Sequence, residues 1–308
     1  MESRLLSISL HFLIILIAPP LFVGIINRIK SIFAGRKGPP ILQLYFDIYK
    51  LLRKGGAYSK STSFLFRIIP ISLLVVTMLA GTLLPVTGAA VFSFWGDAIL
   101  FVYLFALGRF LIITAAMDTG GAFEGMGASR EAAFGAFAEL TAFVVIIALS
   151  VFTGFASLDK IFYLDGFFFR TEPAMVLLFC AFFFILLTEN SRMPIDDPNT
   201  HLELTMIHEV MVLDYSGPDL AIILYGSSVK IFIFMVFAAL LVFPNPGLNS
   251  VQNAAATLLK AGCMSVIIGI VESVTSRIRL IKIPQLLIAS FVVSLFALIS
   301  TIHLRSPS

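Results

Sequence analysis

Residues 173–243 read PAMVLLFCAFFFILLTENSRMPIDDPNTHLELTMIHEVMVLDYSGPDLAIILYGSSVKIFIFMVFAALLVF. Two apolar runs, 173–188 and 220–243, enclose a polar segment with the acids Glu189, Asp196, Asp197, Glu203, Glu209, Asp214 and Asp219. Charge is scarce in the chain as a whole: only 13% of the 308 residues are charged, and 59% are hydrophobic. Such apolar runs are typical of transmembrane helices, and acids clustered between them indicate ion handling or partner contacts.

Further apolar runs occur on both sides of this stretch. Together they predict an all-α polytopic membrane protein with about eight transmembrane helices in a single membrane domain, 1–308. The predicted spans are 5–28, 64–87, 97–117, 131–154, 173–188, 220–243, 254–276 and 284–303. The fifth is short, so it either barely spans the membrane or extends through 167–169. The first is not a cleavable signal peptide, because it is too long and lacks a small-residue cleavage site.

The basic residues predict the orientation of these spans. Loops after odd-numbered spans hold Arg28, Lys30, Arg36, Lys37, Lys50, Arg53, Lys54, Lys60, Arg130, Arg192, Arg277, Arg279 and Lys282. The other side holds only Arg4, Lys160, Arg170 and Arg305. By the positive-inside rule, both termini lie outside, and the loops 29–63 and 189–219 face the cytoplasm.

The first of these loops contains a predicted amphipathic helix. Residues 41–54, ILQLYFDIYKLLRK, follow the helix breaker GPP, and Gln43, Asp47, Lys50 and Lys54 share one helical face. Two interpretations remain open. The helix lies in the headgroup region of the membrane, or it docks a cytoplasmic partner.

Several ionisable residues fall within or at the edges of the spans: Arg109, Glu131, Glu139, Lys230, Lys260 and Glu272. Charges in a membrane are costly, so this number predicts mutual pairing or access to water inside the bundle. Glu139 and Lys230 lie away from the helix ends and suit a proton relay, although a static buried ion pair is the alternative. Arg109 and Lys260 are equally well explained as cations that reach toward the interface.

Other motifs exclude several classes of chemistry. Cys180 and Cys263 stand alone in apolar runs, which predicts packing residues and no metal cluster or haem. Phosphate-loop, GxSxG and HExxH motifs are absent from the sequence, and no basic block suits nucleic acid. His201 and His208 lie seven apart on a predicted loop helix; they are surface histidines or a proton-transferring pair.

Five motifs occur in the order of a known family: GRKGP at 35–39, GASRE at 127–131, ENSRMPID at 189–196, HLEL at 201–204 and DYSG at 214–217. They resemble the membrane subunit of respiratory complex I that links its peripheral and membrane arms, known as subunit 1. The counterpart in group 4 membrane-bound nickel-iron hydrogenases is more similar still. DTGGAF at 118–123, Lys230 and ESVTSRIRL at 272–280 resemble the hydrogenase branch.

This resemblance implies a role and a set of residues. The ion pathway is expected at Glu131, Glu139, Glu189, Asp196, His201, Glu203, His208, Glu209, Asp214, Lys230 and Glu272. The docking surface for the cytoplasmic arm is expected at Arg36, Lys37, Gly38, Pro39, Asp47, Lys50, Arg130 and Arg192. Of the acidic triplet of the complex I loop, only Glu203 is retained, since Asn199 and His201 replace the other two acids.

The resemblance also implies partners, a location and a division of labour. This chain carries no cofactor, and the nickel-iron site and iron-sulfur clusters belong to the hydrogenase large and small subunits and iron-sulfur subunits of the cytoplasmic arm. Antiporter-like membrane subunits and the lipid bilayer complete its surroundings, in the cytoplasmic (inner) membrane of a prokaryote. The chain couples electron transfer to proton or sodium translocation.

Four alternatives stay open at this point. A quinone-reducing complex I and a sulfur-reducing relative use similar membrane subunits. A stand-alone secondary transporter usually has an internal repeat around a midplane site, and the sequence shows no clear repeat. A purely structural anchor leaves Glu139, Lys230 and Glu272 without a role.

Overall fold

The computed structural model describes residues 2–163, 173–196, 206–244 and 249–305. Within these ranges the chain is helical and contains no strand. The α-helices, in chain order, are α1 (Glu2–Ile17), α2 (Pro19–Phe33), α3 (Gln43–Leu52), α4 (Phe64–Thr82), α5 (Asp97–Asp118), α6 (Ala122–Thr153), α7 (Leu158–Phe162), α8 (Pro173–Glu189), α9 (His208–Met211), α10 (Gly217–Val242), α11 (Ser250–Val274) and α12 (Ile283–Arg305). A 3₁₀ turn, Leu280–Lys282, precedes α12.

The first predicted span is a broken helix. Its two parts, α1 and α2, meet at an angle of 44° where Pro19 and Pro20 interrupt the backbone hydrogen bonds. The Tyr225 hydroxyl of α10 donates to the carbonyl of Leu16 over 2.8 Å, and Tyr45 of α3 donates to that of Ile17. Two tyrosines thus replace the donors that the break removes.

Helix α10 forms the centre of the bundle. It is buried on almost every side and packs against α2, α3, α4, α8 and α11. A helix that is apolar all round requires such a position. Helix α6 packs against α5, α8 and α12, and α9 packs against α5 and α6. Cys180 and Cys263 are exposed on the outer surface of the bundle, and their role as small apolar residues in helix packing stays a prediction.

Six of the described helices are long and apolar enough to cross a membrane: α4, α5, α6, α10, α11 and α12. The bent pair α1–α2 raises the number to seven. Helix α8 corresponds to the fifth predicted span and has 17 residues; its predicted extension, 167–169, lies outside the described residues. The chain is a multi-pass membrane protein. The count of about eight spans and the outside location of both termini stay predictions.

Contacts between loops bring one end of the bundle together. Asp118 accepts from the Ser63 amide over 2.8 Å, and Ser216 accepts from the Ala57 amide over 2.8 Å. Helix α3 lies at this end and has no buried residue. We call this the loop end; it contains the described parts of 34–63, 190–216 and 275–282.

Candidate ion-pathway site

Five ionisable side chains meet inside the bundle, on four different helices. Arg109 comes from α5, Glu131 and Glu139 from α6, Glu189 from the end of α8, and Lys230 from the middle of α10. We call these residues the central cluster. It contains three carboxylates and two cations, so when all five ionise it has one negative charge in excess.

Arg109 is the hub of the central cluster. Its guanidinium donates from Nη1 to Glu139 and from Nη2 to Glu189, and its Nε lies 3.4 Å from Oε1 of Glu131. The Arg109 side chain is only 5% exposed, so its charge is neutralised by these acids rather than by solvent. The planar fork of arginine suits contact with several carboxylates at once.

A glycine opposite Arg109 makes this arrangement possible. A Cβ atom on Gly135 of α6 would lie 2.6 Å from Cζ of Arg109, closer than van der Waals contact allows. The small residues of GASREAAFGAFA therefore have a local purpose here: one of them opens the space that the guanidinium occupies.

Lys230 joins the cluster through Glu189. Its Nζ donates to Oε2 of Glu189 over 2.9 Å, while Oε1 of the same carboxylate accepts from Arg109. Glu189 therefore bridges the two cations. It ends α8 and is followed by a turn in which the amides of Asn190 and Arg192 return to α8 carbonyls.

A second group of charges lies at the loop end and on the helix ends next to it. Glu272 of α11 is buried, with Oε2 at 2.9 Å from Nζ of Lys30 on α2 and Oε1 at 3.4 Å from Nη1 of Arg192. Asp196 accepts from Nη2 of Arg277 over 2.9 Å. We call Lys30, Arg192, Asp196, Glu272 and Arg277 the loop cluster.

Asp196 also fixes the returning part of the acidic segment. Its Oδ2 accepts from the amides of Ile207 at 3.0 Å and His208 at 3.2 Å. The neighbouring Arg130 donates to the carbonyl of Met206 over 2.9 Å. These contacts fold the described ends of the segment into the bundle, where Asp196, Met206, Ile207, Val210, Met211 and Tyr215 are buried.

A small cavity connects the two clusters. Its lining includes Arg109, Glu131 and Glu189 of the central cluster together with Asp196 and Ile207 of the acidic segment. The space open to the centre of a water molecule is about 10 Å³, which corresponds to about one water position. The polar lining supplies the hydrogen-bonding groups that a bridging water requires.

His208 stands beside both clusters at the start of α9. Desolvation lowers the pKa of its imidazole below the ordinary value of 6.5, and the positive charge of Lys230 acts in the same direction. The carboxylates of Glu131 and Asp196 oppose this shift. The pKa of His208 therefore depends on charges in both the central cluster and the loop cluster.

The structure brings together many of the residues predicted from the sequence. Glu131, Glu139, Glu189 and Lys230 lie in the central cluster, Asp196 and Glu272 lie in the loop cluster, and His208 lies beside both. Glu209 is half-buried on α9 and Asp214 is exposed, and both lie outside the two named clusters. His201 and Glu203 fall outside the described residues.

The predicted docking residues separate into two sets. Arg36, Lys37, Pro39 and Lys50 are exposed, and Gly38 and Asp47 are half-buried, with Asp47 accepting from Gln43 over 2.8 Å. Arg130 and Arg192 point inward, to Met206 and Glu272. Only the first set offers a surface to another subunit.

Sequence reasoning missed the roles of Arg109, Lys30 and Arg277. Arg109 was equally explained as an interfacial cation, and the other two were counted only as loop charges. The available signal was an imbalance of charge: several acids within the spans needed more cations than Lys230 to neutralise them.

No group of three or more His, Cys, Asp or Glu side chains among the described residues is arranged to hold a metal ion. Arginine and lysine, the groups that pair with these acids, are not metal ligands.

Comparison with known proteins identifies a family and several relatives of this chain. A family model described as NADH dehydrogenase matches residues 6–302. The chain is 29% identical over 277 residues to hydrogenase-4 component C of Escherichia coli (strain K12), covering 88% of this chain and 87% of the relative. It is 28% identical over 301 residues to formate hydrogenlyase subunit 4 of the same organism, covering 94% and 95%.

The fold is shared with a chain of a solved complex. That complex is the membrane-bound sulfane sulfur reductase, an archaeal respiratory membrane complex. The TM-score is 0.84 at 20% identity, over 98% of this chain and 100% of that chain. At this identity the likeness concerns the architecture alone.

Proposed function

Because this chain belongs to the NADH dehydrogenase family, we propose that it is the membrane subunit of an energy-converting complex of the hydrogenase type. It anchors a cytoplasmic redox arm and couples electron transfer in that arm to translocation of protons or sodium ions. The similarity to hydrogenase-4 component C and formate hydrogenlyase subunit 4, over most of both chains, supports the hydrogenase branch.

The central cluster is the observation that carries this proposal. Three carboxylates and two cations, on four helices, leave one acid in excess within a poorly solvated bundle. An excess carboxylate in such surroundings binds a proton or a small cation to restore neutrality. Taking up and releasing that ion is the step that a coupling subunit requires.

The loop cluster and the cavity provide the route inward. Asp196 lines the same cavity as Glu131 and Glu189, so one bridging water is enough to link the acidic segment to the central cluster. Glu203 and His201 are proposed to extend this route to the loop end. The arm that docks there is then directly next to the ion pathway.

The docking surface is proposed at the exposed part of the 34–63 loop. Arg36, Lys37 and Lys50 are exposed at the loop end, and α3 offers Phe46 and Tyr49 beside them. A basic and aromatic surface suits a protein with an acidic face. The nickel-iron site and iron-sulfur clusters are proposed in that arm, antiporter-like subunits beside this chain, and the cytoplasmic membrane of a prokaryote as its location.

Gentle purification of the native complex tests this function. We expect subunits with nickel and iron-sulfur clusters to co-purify in fixed ratio with this chain, detected by metal analysis and mass spectrometry. Cluster-bearing subunits without nickel would favour a sulfur-reducing relative, and a quinone-reactive module would favour complex I. A chain that purifies alone and exchanges ions without redox subunits would be a transporter and would contradict the proposal.

A further inference from the structure

A second cavity lies on the other side of the central cluster, and its lining is almost entirely apolar. Among the described residues, the polar side chains on its wall are those of Arg109, Glu139 and Glu189. The remaining wall includes five phenylalanines, which we call the phenylalanine layer: Phe101, Phe105, Phe182, Phe234 and Phe237. All five are buried in the core.

Three helices place these phenylalanines on the same side of the charges. Phe101 and Phe105 precede Arg109 on α5, Phe182 precedes Glu189 on α8, and Phe234 and Phe237 follow Lys230 on α10. Because α10 runs antiparallel to α5 and α8, all of these positions lie away from the loop end. The layer therefore covers the face of the central cluster that is opposite the acidic segment.

The rings form a continuous set of contacts. Phe182 stacks on Phe237 with ring centroids 4.3 Å apart, Phe237 stacks on Phe101 at 5.5 Å, and Phe105 contacts Phe234 at 4.8 Å. Phe101 also meets Phe105 edge to face at 5.0 Å. Paired rings of this kind pack closely and leave little freedom for a water path between them.

The phenylalanine layer extends along the helices over a distance that an ion could not cross without leaving the charged groups. Phe101 lies about two turns from Arg109, roughly 12 Å along the helix axis. The next acid beyond it on α5, Asp97, is occupied by the amide of Leu158 at 2.7 Å and the hydroxyl of Ser157 at 2.8 Å. The cavity itself has about 20 Å³ of space for water centres. Its hydrogen-bonding side chains are those of Arg109, Glu139 and Glu189, so a water in this cavity would stay beside the central cluster, and the phenylalanine wall offers it no partner further on.

We propose that the phenylalanine layer is a dry barrier that prevents ions in the central cluster from crossing this chain to the face opposite the loop end. Charge that enters from the acidic segment is held at the cluster, because the step beyond it requires an ion to enter a region walled by aromatic rings, which cannot replace its hydration shell. The inference rests on the proposed function in one respect only: it takes the central cluster as a place that ions occupy.

The test is a passive leak measurement on vesicles that contain the whole complex and receive no electron donor. Phe237→Ser puts a hydroxyl beside the cavity, and Phe237→Leu keeps the wall apolar. We expect Phe237→Ser to dissipate an imposed pH gradient on the order of tenfold faster, since a tenfold rate corresponds to only about 1.4 kcal/mol of barrier. Phe237→Leu should match the wild type. A sodium-sensitive dye gives the same measurement for sodium.

A substitution at a second position of the same wall keeps the proposal testable if Phe237→Ser fails to fold. Ile146→Thr changes the same wall with a smaller loss of volume than Phe237→Ser and should also increase the leak, while Phe110→Ser, on the exposed side of α5, should not. Wild-type tightness in assembled Phe237→Ser and Ile146→Thr would overturn the proposal. An equal leak in Phe237→Leu would overturn it too, because loosened packing would then be the cause.

These outcomes are separate from those of the proposed function. The leak measurement requires no redox chemistry. If the wild-type complex does not couple electron transfer to ion movement but its vesicles are tight and the variants leak, the proposed function fails and the proposed barrier stands.

Discussion

Arg109 of α5 and Gly135 of α6 fit each other: the guanidinium occupies the space that any side chain at position 135 would fill, with Cζ 2.6 Å from the place of a Cβ atom. The hub of three carboxylates therefore depends on a residue that has no side chain. This relationship leads to the first prediction.

Gly135→Ala should displace Arg109 and weaken the bundle. Overpacking of a buried site costs about 1–3 kcal/mol, and part of that loss would be the weakened contacts to Glu139 and Glu189. The measurement is the thermal unfolding temperature of the purified complex. Gly125→Ala on the same helix is the matched control, because nothing among the described residues lies within 4 Å of its added Cβ. Equal unfolding temperatures for the two variants would contradict the prediction.

Arg109→Gln should reduce the amount of assembled protein strongly. Removing one partner of a buried ion pair costs about 3–5 kcal/mol, because the remaining charges lose their compensation. The double variant Arg109→Gln, Glu139→Gln should recover part of this loss, since one uncompensated acid disappears with the arginine. Assembly is measured by quantitative immunoblotting of membranes, with Arg67→Gln as an exposed control. A double variant worse than the single one would count against the hub.

Glu139→Gln should leave assembly intact and impair coupling. The amide keeps the shape and hydrogen-bonding capacity of the acid but cannot carry the proton or balance the charge of Arg109. Ion pumping in vesicles should fall to a small fraction of the wild-type rate, while electron transfer to an uncoupled acceptor continues. Asp159→Asn, outside the predicted pathway and at the end of the bundle opposite the loop end, is the matched control. Wild-type pumping at equal complex content would exclude Glu139 from the pathway.

His208 predicts a loss of stability in mild acid. Its pKa is lower in the folded protein than the ordinary value of 6.5, so the unfolded chain binds the proton more readily. The contribution of the neutral imidazole is fully present above 6.5 and is lost as the pH falls toward the lowered pKa. His208→Gln should therefore show a smaller drop in unfolding temperature between about pH 7.5 and about pH 5.5. Parallel drops would place the acid sensitivity elsewhere.

Arg36→Glu should loosen the cytoplasmic arm. Arg36 is exposed at the loop end, and reversing its charge converts an attraction to an acidic partner into a repulsion. The arm subunits should then wash from membranes at lower salt than in the wild type, because exposed charge contacts are screened by salt. Arg4→Glu, at the other end of the bundle, should not change retention. Identical salt profiles for all three proteins would argue against docking at Arg36.

Much of the site was predictable from the sequence for one physical reason. Acids and a lysine in apolar runs must find partners, so Glu131, Glu139 and Lys230 were expected to pair inside the bundle, and they lie together in the central cluster. Glu189, which joins them, was expected only as part of the acidic segment. The hub was not predictable, because a lone arginine within two turns or so of a helix end reaches water as readily as it reaches a buried acid. Only the packing of α5 on α6 decides between these outcomes.

The acidic segment shows a second limit of what the sequence can predict. It was predicted as an acidic cytoplasmic loop with no account of its packing. Its described ends are folded into the bundle by Asp196, which accepts from two amides and pairs with Arg277. A return of the chain onto its own helices depends on contacts distant in sequence. Periodicity, which reports only on local structure, contains no trace of them.

Helix α6 has 32 residues and is about 48 Å long, whereas the hydrocarbon of a bilayer is about 30 Å thick. Tilt alone would have to reach roughly 50° to place the whole helix within the hydrocarbon, beyond the usual range of about 0–40°. The helix therefore protrudes, and its polar first turns, with Glu124 and Arg130, lie at the loop end. A subunit bound to that protruding end would contact the same continuous helix that carries Glu139. A displacement of the helix at this contact would therefore also change the contacts between Glu139 and Arg109.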